Sequence, residues 1–160
     1  MSQDNVYLVR RIYEAYASDD PEAALSLLHP DIEWVEPPDS PDTATHRGHD
    51  GVRRSMEGWA GAWEGYGVDV DNMIEAGDGV LVRLRQHGHG RGSGVGLEER
   101  MFHVWTLRDG KAVRMRMYRE EAEALGAARA RGDAQGYRED EDPSPAPEPE
   151  LDPGVEPASN

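Results

Sequence analysis

The sequence contains no cysteine, a single lysine and no apolar run long enough to cross a bilayer. Without cysteine there is no disulfide framework, no thiolate zinc site and no cysteine nucleophile. The single lysine, Lys111, follows an Asp-Gly turn, which disfavours Schiff-base chemistry. A bilayer-spanning helix needs roughly 18 apolar residues, and the first residues lack the basic and apolar regions of a signal peptide. We therefore expect a cytoplasmic, soluble protein with no membrane partner.

Basic residues are also scarce, since the 160 residues carry 17 Lys and Arg against 32 Asp and Glu, a net charge of -15. Such a charge repels nucleic-acid backbones, so no nucleic-acid partner is expected. Residues 139–160 hold eight of the acids, no base and many prolines, with too few apolar residues to offset ordering entropy. We predict one folded domain over residues 1–137 and a disordered acidic, proline-rich tail over residues 138–160.

Hydrophobic periodicity predicts the order of the secondary-structure elements. Helical spacing predicts a helix over residues 4–17, and Asp20 as N-cap before Pro21 predicts a second, short helix through Leu28. The remaining predicted elements are a strand over 31–36, a polar loop over 37–50, a third helix with Val52, Met56, Trp59 and Trp63 on one stripe, strands over 66–76 and 80–87, a glycine-rich loop or irregular edge over 88–96, strands over 98–108 and 111–120, and a last helix over 120–131.

The last two strands form a hairpin whose turn length decides which residues face the core. A two-residue turn would place Trp105 opposite Arg114, so we predict a three-residue loop with Gly110 in the left-handed region. The predicted pairs are Trp105 with Val113, His103 with Met115, and Met101 with Met117. The inward face is then Met101, His103, Trp105, Leu107, Val113, Met115 and Met117. One histidine therefore lies within an apolar face.

Two segments of the sequence resemble one protein family. The first runs from Tyr7 to Trp34 and contains Leu-His-Pro-Asp, and the second runs from Phe102 to Tyr118 and reads FHVWTLRDGKAVRMRMY. Both resemble the SnoaL-like branch of the nuclear transport factor 2-like superfamily, over about residues 4–130. The resemblance implies an α+β fold, in which a curved mixed β-sheet wraps around N-terminal helices as a cone, also called cystatin-like, with a hydrophobic pocket at its open end. It also implies a homodimer through the sheet.

The related families include ketosteroid isomerases, polyketide cyclases, epoxide hydrolases, dehydratases and non-catalytic binding modules. By resemblance, Glu36 before Pro37 matches the catalytic carboxylate base of the ketosteroid isomerases, and His103 stands at the place of their second buried acid, a hydrogen-bond donor. Tyr13 or Tyr16 would match their helix-one tyrosine, and the choice stays open. The Asp-Arg-Asp set of limonene-type epoxide hydrolases is not recognisable, which disfavours that reaction.

The residue pattern itself also selects Glu36 and His103. Alternation turns Glu36 to the side of Ile32 and Trp34, where a carboxylate is either a general base or a strand-end group bonded to loop amides. His103 is either a donor to a ligand or a neutral histidine bonded to a core tyrosine. Ligand contacts are expected from aromatic residues and methionines, most of which otherwise pack in the core: Tyr13, Tyr16, Trp34, Trp59, Trp63, Met101, Trp105, Met115 and Met117.

These residues predict two functions for one pocket. The first is a cofactor-independent isomerase or cyclase that abstracts a proton beside the carbonyl of a small apolar substrate, with Glu36 as base and His103 as donor. The alternative is a non-catalytic small-molecule-binding or dimeric interaction module. No metal is expected, because two histidine pairs lack a third ligand at a recognised spacing: His46 with His49, and His87 with His89.

Deletion of residues 138–160 tests the predicted domain boundary. A segment without core contacts adds nothing to the folded state, so the melting temperature should equal that of the full chain. Thermal denaturation of both chains, followed by circular dichroism, measures the difference. A drop of several degrees would mean that the deleted segment belongs to the folded domain.

Overall fold

The structure is a computed structural model that describes residues 2–38, 45–77 and 79–134. These ranges contain four helices and six strands. In chain order they are α1 (Ser2–Ala17), α2 (Pro21–Leu25), β1 (Leu28–Val35), β2 (Thr45–Arg47), α3 (Gly48–Ala62), β3 (Trp63–Ala76), β4 (Gly79–Gly90), β5 (Gly96–Arg108), β6 (Lys111–Tyr118) and α4 (Glu121–Ala134).

The six strands form one mixed sheet in the order β2-β1-β6-β5-β4-β3. Strands β1 and β6 are parallel, and the other neighbouring strands are antiparallel. Helices α1 and α3 pack on one face of this sheet, whereas α4 packs on the opposite face. The predicted α+β fold class is therefore confirmed.

Alternation along the strands divides the buried residues between the two faces. On β5, Met101 and Trp105 belong to the main core, which also includes Val9 and Ile12 of α1 and Val52 of α3. Phe102 and Val104, which point to the other face of β5, belong to a smaller core beneath α4 together with Leu81, Tyr118, Ala124 and Ala128. The inner face thus lies against the N-terminal helices, where the candidate site residues were predicted.

The turn of the β5–β6 hairpin has two residues, so the predicted three-residue loop is wrong. Asp109 and Gly110 both have positive φ angles, 54° and 77°. Positive φ at both central residues is the conformation of a type I′ turn, whose twist matches that of the flanking strands. The pair Arg108 with Lys111 closes the hairpin directly on either side of this turn.

A β-bulge corrects the register that the short turn would otherwise impose. Val113 is the extra residue, because Leu107 pairs with Ala112 but the next pair joins Thr106 to Arg114. Beyond the bulge, Trp105 lies opposite Met115, and His103 lies opposite Met117. The predicted pairs are therefore wrong by two residues, a shift that keeps the same side chains on the inner face. Val113 itself is half-buried within the bulge.

Several element boundaries differ from the predicted ones because of tertiary contacts. Asp20 caps α2 as predicted, since its side chain accepts a hydrogen bond from the backbone N–H of Ala23 at 3.1 Å. The helix nevertheless ends at Leu25 rather than Leu28, because Leu28 is fully buried and pairs with Ala112 of β6. Sheet pairing thus determines the conformation of residues that the local pattern assigned to a helix.

The segment between β1 and β3 is more regular than the predicted polar loop over 37–50. Strand β2 pairs antiparallel with β1, and an ion pair between Arg47 and Glu33, 2.6 Å apart, joins them. Helix α3 already begins at Gly48, and it ends before Trp63, which has extended backbone and pairs with Gly90. The glycine-rich segment is divided between β4, a turn over residues 91–95, and β5.

Residues 39–44 and the predicted tail over residues 138–160 lie outside the described residues. No helix in the described ranges is long and apolar enough to cross a membrane. The cytoplasmic location and the homodimer stay predictions.

Substitution of Gly79 tests the β4–β5 pairing, because a Cβ at this position would collide with the backbone carbonyl oxygen of Trp105. Backbone cannot move aside cheaply, so Gly79→Ala should lower the free energy of unfolding by about 2–3 kcal/mol. Gly96→Ala is the control, because a Cβ there has nothing within 4 Å. Urea denaturation measures both variants, and equal stabilities would contradict the strand packing described here.

Candidate functional site

A cavity of about 60 Å³ lies between helices α1 and α3 and the inner face of the sheet. Its wall is mostly aromatic and apolar, with six aromatic rings: Tyr13, Tyr16, Trp34, Trp59, Tyr66 and Trp105. The rings pack against one another: Trp34 contacts Trp105 edge to face, and Trp59 stacks on Tyr66. The cavity therefore presents mainly ring faces and edges to a ligand, with few polar groups between them.

Most of the predicted ligand contacts lie on this wall. The wall includes Tyr13, Tyr16, Trp34, Trp59, Met101, His103, Trp105 and Met117. Trp63 and Met115, which were also predicted, are not on it. Trp63 leaves α3 and lies over Gly88 and Gly90 at the start of β3, and Met115 is fully buried in the main core. Trp63 is off the wall because α3 ends before it. Met115 is off the wall because the bulge places it opposite Trp105 rather than opposite His103.

His103 is connected to helix α1 and to its own strand by one hydroxyl group. The Tyr13 hydroxyl lies 2.6 Å from His103 Nδ1, and it accepts a hydrogen bond from Trp105 Nε1 at 2.9 Å. An indole nitrogen can only donate, and among the described residues Nδ1 is the one acceptor in reach of the buried Tyr13 proton. Pairing that proton makes Nδ1 the acceptor and leaves the proton of the neutral ring on Nε2. Tyr13, rather than Tyr16, is the tyrosine in contact with His103.

Burial keeps His103 neutral. It lowers the pKa of His103 from its ordinary value of 6.5 to about 3, because the imidazolium form would lose its hydration. Burial also raises the pKa of Tyr13 above its ordinary range, an effect that the hydrogen bond from Trp105 opposes. Nε2 makes no hydrogen bond to any residue in the described part of the chain, and the ring lies on the cavity wall. His103 thus offers an N–H donor to a ligand.

Glu36 is buried at the end of β1, on the same side as Ile32 and Trp34, but it is not part of the cavity wall. Ser55 of α3 is on the wall, and its hydroxyl donates a hydrogen bond of 2.8 Å to Glu36 Oε2. His46 Nε2 lies 3.3 Å from the same oxygen, on the side nearer to solvent. The carboxylate is therefore separated from the cavity by one hydroxyl group.

A second polar chain leads from the wall toward the protein surface. Tyr66 donates to Gln86 Oε1 at 2.8 Å, Gln86 Nε2 donates to Glu99 at 2.9 Å, and Arg119 donates to Glu99 at 2.6 Å. Burial raises the pKa of Tyr66, with smaller contributions from Tyr16 and from the carboxylates of Glu36 and Glu99. Gln86 is 3% exposed, so this chain satisfies an amide that would otherwise be costly to bury.

Several wall residues were not predicted from the sequence, although its pattern contains a signal for two of them. Ser55 lies three residues after Val52 and four before Trp59, so it shares their face of α3. Gln86 continues the alternation of Val82 and Leu84 along β4. The other missed wall residues are Ile12, Met56, Tyr66 and Val68.

An open groove adjoins the cavity and shares wall residues with it: Tyr16, Met56, Tyr66 and Val68. The groove also contains Asp19, Glu22 and Glu57 against one arginine, Arg53. That arginine is already bonded to Glu22 and Asp50. The entrance is therefore acidic, which favours neutral or cationic ligands over anions.

The histidine pairs make separate contacts. His49 Nε2 lies 3.0 Å from the carbonyl oxygen of Leu28, and His87 Nε2 lies 3.4 Å from Asp69. Within the described ranges, no group of three or more histidine, aspartate or glutamate side chains is arranged to hold a metal ion.

Comparison with known proteins supplies the family. The model of the SnoaL-like domain matches residues 9–115, which is more than half of the chain. The chain belongs to the SnoaL-like family. The family resemblance found in the sequence is thus confirmed. A comparison of this SnoaL-like chain with curated proteins gave no match.

Solved structures similar to this SnoaL-like chain include a nuclear transport factor 2-like protein from Burkholderia thailandensis E264, 32% identical, with 74% of this chain and 95% of that chain covered and a TM-score of 0.66. A protein of the same superfamily and of unknown function from Burkholderia pseudomallei K96243 is 25% identical, with 78% and 97% covered and a TM-score of 0.65. TerC, co-crystallised with polyporic acid, is 28% identical, with 75% and 94% covered and a TM-score of 0.64.

The neutral state of His103 predicts a specific sensitivity to acid. Below pH 6.5 the unfolded chain takes up a proton at this residue, whereas the folded chain does not until about pH 3. Stability therefore falls as the pH drops through this window, by about 2 kcal/mol between pH 7 and pH 5. In His103→Gln this part of the loss should disappear, as measured by urea denaturation at both pH values. His87→Gln, which removes a half-exposed histidine, should keep the wild-type loss. An unchanged loss in His103→Gln would contradict the buried neutral imidazole.

Proposed function

We propose that the cavity binds a small carbonyl compound and removes a proton from the carbon beside the carbonyl. The observation that carries the proposal is the neutral His103, whose Nε2–H is left for a ligand by the Tyr13 hydroxyl. A fixed donor in an apolar cavity stabilises the negative charge that develops on a carbonyl oxygen during enolisation. The aromatic wall excludes water, which strengthens that hydrogen bond.

Glu36 is the base in this proposal. The C–H bond breaks, its electron pair forms the carbon–carbon double bond of the enolate, and negative charge moves to the oxygen at His103. The proton passes to the Glu36 carboxylate when the Ser55 hydroxyl turns aside, and it returns to the same or another carbon. The second outcome is an isomerisation. Attack of the enolate carbon on a second carbonyl of the substrate would be a cyclisation, in which the π bond of that carbonyl breaks and its oxygen takes the proton from Glu36. Neither needs an oxidant or a cofactor.

The lining of the cavity limits the substrate. Its mostly aromatic and apolar wall favours a compound with an apolar body. A longer substrate would extend through the shared residues into the acidic groove. The co-crystallisation of the similar TerC with polyporic acid supports the proposal that this chain also takes an organic ligand.

A second candidate function is ligand binding without chemistry. It is favoured by one observation, namely that Glu36 Oε2 is already hydrogen-bonded by Ser55 and contacted by His46. A carboxylate that stays in these contacts cannot reach a substrate carbon. The two candidates share the donor His103 and differ only in whether Glu36 becomes accessible.

Deuterium uptake from D2O into small ketones, such as butanone and cyclopentanone, tests the proposal without knowledge of the natural substrate. The wild type should exchange the protons beside the carbonyl faster than buffer alone, as measured by NMR. Glu36→Gln and His103→Ala should each lower the enzymatic rate by about 100-fold or more, since they remove the base and the donor.

The matched control for this experiment is Glu75→Gln, which alters an exposed carboxylate on β3 and should exchange at the wild-type rate. Thermal denaturation checks that each variant is folded. Ketone binding with no exchange above the buffer rate would support the binding module, and the absence of both would contradict both candidates.

A further inference from the structure

We propose that the cavity selects a carbonyl compound that also carries a hydrogen-bond donor, a hydroxyl or an ammonium group. This inference rests on the proposed function for the carbonyl end of the ligand. It adds a second polar end, formed by Ser55 with Glu36 behind it.

Ser55 offers the ligand an acceptor. Ser55 is 6% exposed and lies on the cavity wall, and its hydroxyl gives its proton to Glu36 Oε2 at 2.8 Å. With the proton engaged, the hydroxyl oxygen faces a ligand with lone pairs only. The carboxylate polarises this hydroxyl, so its oxygen accepts a hydrogen bond more strongly than an isolated serine does.

Ser55 is distinguished on the described wall by donating to a carboxylate, whereas the Tyr66 hydroxyl donates to the neutral amide of Gln86. Tyr13 accepts from Trp105 and donates to His103, and Gln86 uses its oxygen for Tyr66 and its nitrogen for Glu99. Trp34 has a buried indole N–H without a partner among the described residues, and an indole N–H is again a donor. Donors for a carbonyl oxygen and an acceptor beside Glu36 therefore belong to different residues.

The positions of Ser55 and Glu36 favour a ligand whose hydrogen-bond donor is attached to the carbon that loses the proton. In the shortest compounds of this class, the carbon that bears the hydroxyl or ammonium group is the carbon beside the carbonyl. A donor held by Ser55 positions that carbon in the bound state, before the serine turns aside and uncovers the carboxylate. The acidic groove at the entrance and the aromatic wall tolerate a cationic donor as well as a neutral one.

Three ligands of nearly equal shape test the inference: hydroxyacetone, aminoacetone in its protonated form, and butanone. They differ only in a hydroxyl, an ammonium or a methyl group at one position. A second pair, 4-hydroxybutan-2-one and pentan-2-one, moves the donor one carbon farther from the carbonyl. Dissociation constants come from NMR titration of the ¹⁵N-labelled full chain.

At least one donor-bearing ligand should bind about 10-fold more tightly than its methyl counterpart, the value of one net hydrogen bond. Comparison of hydroxyacetone with aminoacetone identifies which donor is preferred. Ser55→Cys, which keeps a side chain between the cavity and Glu36, should abolish the preference, since sulfur is a weak acceptor. Ser26→Ala, which alters an exposed serine at the end of α2, should keep it.

Equal affinities of the donor-bearing and methyl ligands for the wild type would overturn the inference. So would a preference that persists in Ser55→Cys, or the absence of binding by every ligand. These results are separate from those on the proposed function, which depend on deuterium exchange. Exchange of butanone at the rate of hydroxyacetone, with equal affinities, would leave the enolisation intact and remove the second polar end. A donor preference without any deuterium exchange would support the second polar end and contradict the enolisation.

Discussion

The hydroxyl group of Tyr13 joins helix α1 to the inner face of the sheet, and the polarity of the cavity depends on this contact. Trp105 can only donate, so the hydroxyl accepts from it, and the buried hydroxyl proton has its acceptor, among the described residues, in His103. The imidazole is thereby fixed in one tautomer, and burial prevents it from taking a second proton. Residues about ninety positions apart in the chain thus determine one hydrogen-bond donor. The aromatic packing around them keeps that donor away from water.

Strand alternation predicted much of this site, because a period of two is a local property that few tertiary contacts override. It placed Glu36 on the side of Ile32 and Trp34, and it placed His103 and Trp105 on one inner face. The family resemblance supplied the fold class and the expectation of a pocket. The tyrosine in contact with His103 could not be chosen, because Tyr13 and Tyr16 lie on similar faces of α1 and only tertiary packing distinguishes them.

Other parts of the structure depend on contacts that the sequence does not display. The screening of Glu36 by Ser55 joins the end of a strand to the middle of a helix, and no local pattern specifies that distance. Leu28 satisfies a helical pattern, yet pairing with Ala112 places it in β1. The hairpin register was mispredicted because only turns of fixed length were considered, and a bulge allowed the short turn and the inward Trp105 to coexist.

The bulge at Val113 has a further consequence for how this hairpin tolerates change in chain length. Because one extra residue separates the turn from Arg114, the number of residues, rather than their identity, determines which side of β6 faces the helices. Loss of a single residue there would exchange Met115 and Met117 for the arginines beside them. Substitutions in this stretch alter packing by degrees, whereas an insertion or deletion inverts the surface of the strand. The apolar lining that Met117 gives the cavity therefore depends on the number of residues between the turn and Arg114 as well as on the side chains themselves.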